Sequence, residues 1–143
     1  MKNKLHGWKL IEGSIGMLET RNPSVSEVVA ALEAISPEMI DPFMILEARA
    51  SGKGGYPNYC QAFADEAGYV CEIRTHAGNG FRHCRSFLRD AQGNLGETDD
   101  PQFPNLSQAI RIFMQFIGDP DAFPVVEPVE WLDVSEEFEP EPA

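Results

Sequence analysis

The chain has 143 residues, enough for one domain that buries about two-thirds of the surface an unfolded chain exposes. Against 23 Asp and Glu it carries 11 Lys and Arg, a formal net charge of −12. That balance excludes nucleic-acid binding by phosphate neutralisation and adhesion to anionic membrane surfaces. At 43% hydrophobic and 24% charged, the composition is that of a globular protein. The charge is uneven. Residues 1–111 hold every basic residue and 14 acids, whereas residues 112–143 hold nine acids and no base.

The start, Met1-Lys2-Asn3-Lys4-Leu5-His6-Gly7-Trp8, has basic residues but no apolar run behind them, because Lys9, Glu12 and Gly13 interrupt it. The longest apolar run, residues 28–32, is far short of the roughly 20 residues of a membrane span. A cytoplasmic protein is expected. Cys60, Cys71 and Cys84 then read as reduced, buried thiols without a disulfide framework.

Residues 5–19 are apolar at irregular spacing and predict one or two short strands. Ser24 and Glu27 fit a capping box. Val25, Val28, Val29, Leu32 and Ile35 follow at helical spacing until Ser36-Pro37. From Phe43 the period becomes two. Strands are predicted at 43–50, 59–65, 69–75 and 81–89, with a short edge strand at 95–98. Turns at 66–68, 76–80 and 90–94 join them, and a glycine-rich loop covers 51–55. Asn105 caps a second helix whose stripe is Leu106, Ala109, Ile110, Phe113, Met114 and Ile117, with Gly118 as C-cap and Pro120 barring continuation. Residues 129–134 predict a last strand around Trp131. The whole is an α+β fold: an antiparallel meander of about four to six strands, two amphipathic helices on one face, one domain at 1–134, and a disordered acidic tail at 135–143.

With even-numbered hairpin loops, the strands sort into two faces. Cys60, Ala62, Ala64, Tyr69, Cys71, Ile73, Cys84, Ser86 and Leu88 form a small apolar face suited to the helices. The other face carries Tyr59, Gln61, Phe63, Val70, Glu72, Arg74, Phe81, His83, Arg85 and Phe87. Cross-strand ion pairs, Glu72 with Arg85 or Arg74, are the simplest use of that face. Its mixture of aromatics and Arg also suits a binding surface, with Gln61, Glu72, Arg74, His83 and Arg85 as candidate contacts.

Catalytic and metal signatures are weak. His83 and Cys84 are adjacent on a strand and point apart, which denies them a nucleophile–base hydrogen bond. The cysteines and histidines lack a C-x-x-C pair for a closed zinc site. The acid pairs lie in turns or the tail, outside the enclosed setting that general acid catalysis needs. No catalytic residue, cofactor or metal is expected.

Short segments carry a likeness: Tyr59-Cys60-Gln61-Ala62, Val70-Cys71-Glu72-Ile73-Arg74, Phe81-Arg82-His83-Cys84, the helix 109–116, and Val129-Glu130-Trp131. In layout over residues 24–134 the chain resembles small immunity proteins of bacterial polymorphic-toxin and contact-dependent inhibition systems. The resemblance implies an α+β protein that is not an enzyme and that blocks a cognate toxin by binding it, often a nuclease or deaminase with a basic active site. It fixes no contact residue. Charge complementarity adds candidates: Asp99 and Asp100 in the linker, and Glu127, Glu130 and the anchored Trp131 in the acidic C-terminal segment. A competing expectation is a small-ligand-binding or catalytic domain, with His83 as acid/base and Arg74 or Arg85 as anion clamp.

Overall fold

The computed structural model describes residues 4–14, 16–49, 55–78, 80–96 and 98–141. In chain order the elements are β1 (Lys9–Ser14), β2 (Gly16–Arg21), α1 (Val25–Ala34), β3 (Phe43–Glu47), β4 (Tyr59–Asp65), β5 (Gly68–Ala77), β6 (Gly80–Phe87), α2 (Leu106–Gly118) and β7 (Glu130–Asp133). A short 3-10 turn, Ser135–Glu137, follows. The fold is α+β, as expected, with one antiparallel sheet ordered β2-β1-β3-β4-β5-β6-β7. Seven strands exceed the expected range because residues 9–21 form a complete hairpin, which joins the sheet through β1 on β3. Both of the short strands expected within residues 5–19 are thus present, at Lys9–Ser14 and Gly16–Arg21.

Both helices begin as their first turns dictate. Ser24 Oγ accepts from Glu27 N (3.1 Å) while the Glu27 carboxylate accepts from Ser24 N (2.9 Å). Asn105 and Gln108 reproduce the exchange at 2.8 Å in each direction. Gly118 is not the C-cap; it is the last helical residue, and Asp119, outside the helical region at φ −153° and ψ 88°, donates its N–H to the Gln115 carbonyl. Other bounds shift. The third strand ends at Glu47, Ala50 and residues 51–54 lie outside the described residues, and the sixth strand ends at Phe87. Leu95, Gly96 and Thr98 are loop rather than edge strand. The edge contact there is a bridge between Leu88 and Gln102.

The hairpins that sort the faces have the even loops the two-face reading needs. Asp65 pairs with Gly68 and Ala77 with Gly80. Gly68 is demanded twice: its φ is +136°, and a Cβ there would lie 2.6 Å from the Pro104 carbonyl oxygen. The register places Leu10, Leu46, Cys60, Ile73 and Cys84 in one row and Met44, Ala62 and Cys71 in the next. All are buried, and all but Cys84 join one core with Val28, Ala31 and Leu32 from α1 and Ala109, Ile112, Phe113 and Phe116 from α2. Ala and Cys on the sheet leave room for the two Phe rings of α2. Burial in that layer pushes the Cys71 thiol up to about 12 and Cys60 well above its ordinary value, as inert packing thiols should be.

The opposite face is crossed by the row Ile11, Ile45, Gln61, Glu72, Arg85 and Leu132. Beside it run Lys9, Glu47, Tyr59, Arg74 and His83. The two α-helices lie on the other face, so these rows are free to carry charge. No helix among the described residues is long and apolar enough to cross a membrane.

Phe113 fills the layer between α2 and the sheet, so Phe113→Ala should lower unfolding free energy by about 3–5 kcal/mol. A Cβ on Gly13 would fall on the ring of Phe43, its cross-strand partner; Gly13→Ala should cost about 1–3 kcal/mol. Urea unfolding followed by circular dichroism reads both.

Candidate functional site

Glu72, in the middle of β5, collects donors from both neighbouring strands. Its Oε1 accepts from His83 Nε2 at 2.6 Å and from Gln61 Nε2 at 3.1 Å. Its Oε2 accepts from Arg85 Nε at 2.6 Å. Arg74, two residues along on the same face, donates Nε–H to His83 Nδ1 at 3.0 Å. A guanidinium can only donate, so Nδ1 accepts and the His83 proton sits on Nε2, facing Glu72. His83 is wholly buried, and Glu72 and Arg74 nearly so. Burial pushes the Glu72 carboxyl up. The hydrogen bonds from His83 and Arg85, with the Arg85 charge, outweigh it and hold the carboxyl below its ordinary value.

The burial has an unexpected source. Residues 135–141, expected to be an unstructured tail, run across the face as a strap. Ser135 starts it: its N–H (2.9 Å) and Oγ (2.5 Å) both donate to Asp133 Oδ1, while Oγ accepts from the His83 N–H (2.9 Å). Those two bonds from Ser135 hold the Asp133 carboxyl below its ordinary value. The chain thereby turns off the edge strand onto the face. Phe138 lands on the His83 ring, with centroids 4.2 Å apart. The Arg74 guanidinium carbon lies 3.8 Å from the Phe81 ring centroid and 4.7 Å from that of Phe138, a cation between two aromatic faces.

Two strap carboxylates complete the contact. Glu137 accepts from Arg85 Nη1 (3.3 Å) and Nη2 (2.9 Å). Glu141 accepts from Arg74 Nη1 (3.0 Å), and its other oxygen lies 2.8 Å from His76 Nε2. His76 Nδ1 faces Asn58 Oδ1 at 3.0 Å. The Asn58 amide is oriented by accepting from the His76 backbone N–H and donating to the Pro120 carbonyl and Asp121. Burial raises the Glu141 carboxyl, and the hydrogen bonds from His76 and Arg74 overcome that and lower it.

Over the central strands the strap covers the end of the polar face that carries Arg74, His76 and His83. The other end is an open groove of about 540 Å³. Gln61, Phe63, Val70 and Glu72 form its floor, and the loop carrying Thr98, Pro101 and Phe103 forms a wall. Phe87 and Phe103 pack at 5.4 Å between centroids. Phe63 remains 45% exposed.

Among the residues expected to bind a partner, Gln61, Glu72, Arg74, His83 and Arg85 do come together on one face. Glu72 pairs with Arg85 and His83, whereas Arg74 turns to Glu141. Asp99 and Asp100 are exposed on the loop that walls the groove. Glu130 pairs with Arg89 at 2.7 Å, and Glu127 is exposed ahead of β7. Trp131 lies on the helix side, opposite Ser86 in the register. Its ring packs on Phe123 and its Nε1–H donates to the Pro124 carbonyl (2.8 Å), so it anchors a loop away from the polar face. His76, Glu137, Phe138 and Glu141 were missed. His76 falls in a predicted turn, and composition marks the tail only as acidic. One signal pointed to them: the face holds Arg74 and Arg85 against Glu72, a surplus of cations that a covered surface must neutralise.

Compared with known proteins, the chain matches no family model, no curated protein and no solved structure. Among the described residues, no group of three or more His, Cys, Asp and Glu is arranged to hold a metal ion.

The lowered Glu72 carboxyl means that folding gains stability above the ordinary Glu range, near 4.3, and loses it as pH falls through the lower folded value. Glu72→Gln leaves His83 and Arg85 without their carboxylate and should cost roughly 3 kcal/mol at pH 7. The gap to wild type should narrow as pH falls toward 3, read as urea midpoints against pH. An unchanged gap would contradict the ionised state of Glu72.

Proposed function

We propose that the protein is an immunity-type inhibitor that binds a cognate basic toxin in the bacterial cytosol and blocks it without performing chemistry. The observation that carries this reading is the half-exposed Phe63 in an aromatic-walled groove, beside the Glu72–Arg85 pair and the exposed Asp99 and Asp100. An aromatic anchor within a charged rim is the anatomy of a protein–protein contact. The surplus of acid lends on-rate toward a basic partner. Glu136 and Glu139 extend that surface, since they remain exposed while Glu137 and Glu141 engage the sheet.

Occupation of both His83 ring nitrogens favours binding over catalysis, because an acid or base needs reach to its substrate. The groove volume also falls in the range of small-molecule sites, which makes a small ligand seated against Gln61 and Phe63 the second reading.

The decisive experiment measures association of the full-length protein with the toxin encoded beside its gene. Phe63→Ala should speed dissociation about tenfold. Asp99→Lys with Asp100→Lys should slow association several-fold at low salt, with the difference vanishing near about 0.5 M salt. A toxin that neither binds nor is neutralised overturns the reading.

A further inference from the structure

We propose that residues 137–141 are a displaceable strap, and that the bed beneath them is a recognition site for an acidic, phenylalanine-bearing segment of another protein. This goes beyond the groove reading and uses the opposite end of the polar face.

The bed treats the strap as a ligand. Arg85 grips one carboxylate with two N–H groups, at 2.9 and 3.3 Å. Arg74 and His76 grip a second, four residues on, at 3.0 and 2.8 Å. Between them Phe81, His83 and the Arg74 guanidinium form a receptacle for one aromatic ring. The pattern read is Glu-Phe-x-x-Glu, with two carboxylates and a ring at fixed spacing. Cationic forks and an aromatic box are general means of recognising such a segment.

The attachment is also of a releasable kind. Val134 and Ser135 are tied to the His83 backbone. Beyond them, among the described residues, the strap backbone bonds only to itself: Glu137 N to the Val134 carbonyl and Phe138 N to the Ser135 carbonyl. Side chains alone hold the rest, with the Glu137 side chain 44% exposed. Segments with few backbone ties to the sheet open below the cost of global unfolding. Nor does the strap fill its bed: a cleft of about 340 Å³ remains against Gly80 and Phe81, bordered by Phe138 and Pro140. Opening would expose a cationic surface on an otherwise acidic molecule, so the complementary occupant is an acidic segment rather than the basic partner of the groove.

The probe is a labelled peptide with the sequence of residues 135–141, Ser-Glu-Glu-Phe-Glu-Pro-Glu. It is titrated against the full-length wild type and the full-length Phe138→Ala/Glu141→Gln variant. The variant should bind it at least about tenfold more tightly, because the wild-type strap competes at high effective concentration. Binding should weaken with salt and vanish for a peptide carrying the same two substitutions. A folded variant that binds the peptide no better than wild type overturns the proposal, as does equal binding of the substituted peptide. If sedimentation shows the wild-type strap seated in the open bed of the variant, so that variant and wild type pair, the bed belongs to a second copy and the partner assignment fails. Hydrogen exchange on the wild type keeps the test open should the variant not fold: the Glu137 and Phe138 amides should exchange at least about a hundredfold faster than those of β6. Exchange of both at the global rate overturns displaceability. None of these readouts involves a toxin, so they succeed or fail independently of the groove reading.

Discussion

Within the sheet, the Glu72 carboxylate accepts hydrogen bonds from His83, Arg85 and Gln61, and the rest of the polar face is arranged around that fact. A carboxylate this deeply placed is tolerable only with its lone pairs satisfied and opposite charge alongside. The satisfaction propagates. His83 donates its Nε2–H to Glu72, which leaves Nδ1 as an acceptor; Arg74 supplies that bond and is thereby fixed in orientation, with its guanidinium over Phe81. One ionised group thus determines the tautomer of a histidine and the pose of an arginine.

Glu72 nevertheless balances only part of the positive charge around it. Arg74 and Arg85 keep donors that Glu72 does not reach, and those donors are met by Glu141 and Glu137. The chain's charge asymmetry takes on a structural meaning here. The mildly acidic body contains a local cationic patch, and the acid-rich end neutralises it. Proline and carboxylates mark residues 135–141 as a segment unable to fold alone, yet they dock because the sheet supplies their counter-charges. Composition describes what a segment does in isolation, and docking depends on what it meets.

The open end of the face follows a different logic. Its floor is aromatic and aliphatic, and its wall is a loop held to the sheet by Tyr69 N bonding the Pro104 carbonyl and by Leu88 N bonding the Gln102 carbonyl. The loop stands against the sheet without covering Phe63. Charge neutralisation under the strap and exposed apolar surface in the groove therefore sit side by side, built from the same three strands.

Much of this was legible in the residues. The capping boxes at Ser24 and Asn105, the even-numbered hairpin loops, and the alternation of Cys60, Ala62 and Ala64 with Tyr59, Gln61 and Phe63 all depend on neighbours a few residues apart. Local stereochemistry is therefore enough to sort the faces and to bring Gln61, Glu72, Arg74, His83 and Arg85 together. The boundary of β5 was less clear. His76-Ala77-Gly78 looks like a turn, yet His76 remains in the strand because Phe81 pairs with it and Asn58 receives its N–H. The strap lay beyond local reach altogether. Arg74 and Glu141 are 67 residues apart, and no pattern in residues 135–141 names their partner. The sequence by itself determined which residues share a face. Tertiary structure alone decided that one end of that face would be covered, because an ion pair is specified by proximity in space and proximity is set only once the whole sheet has formed.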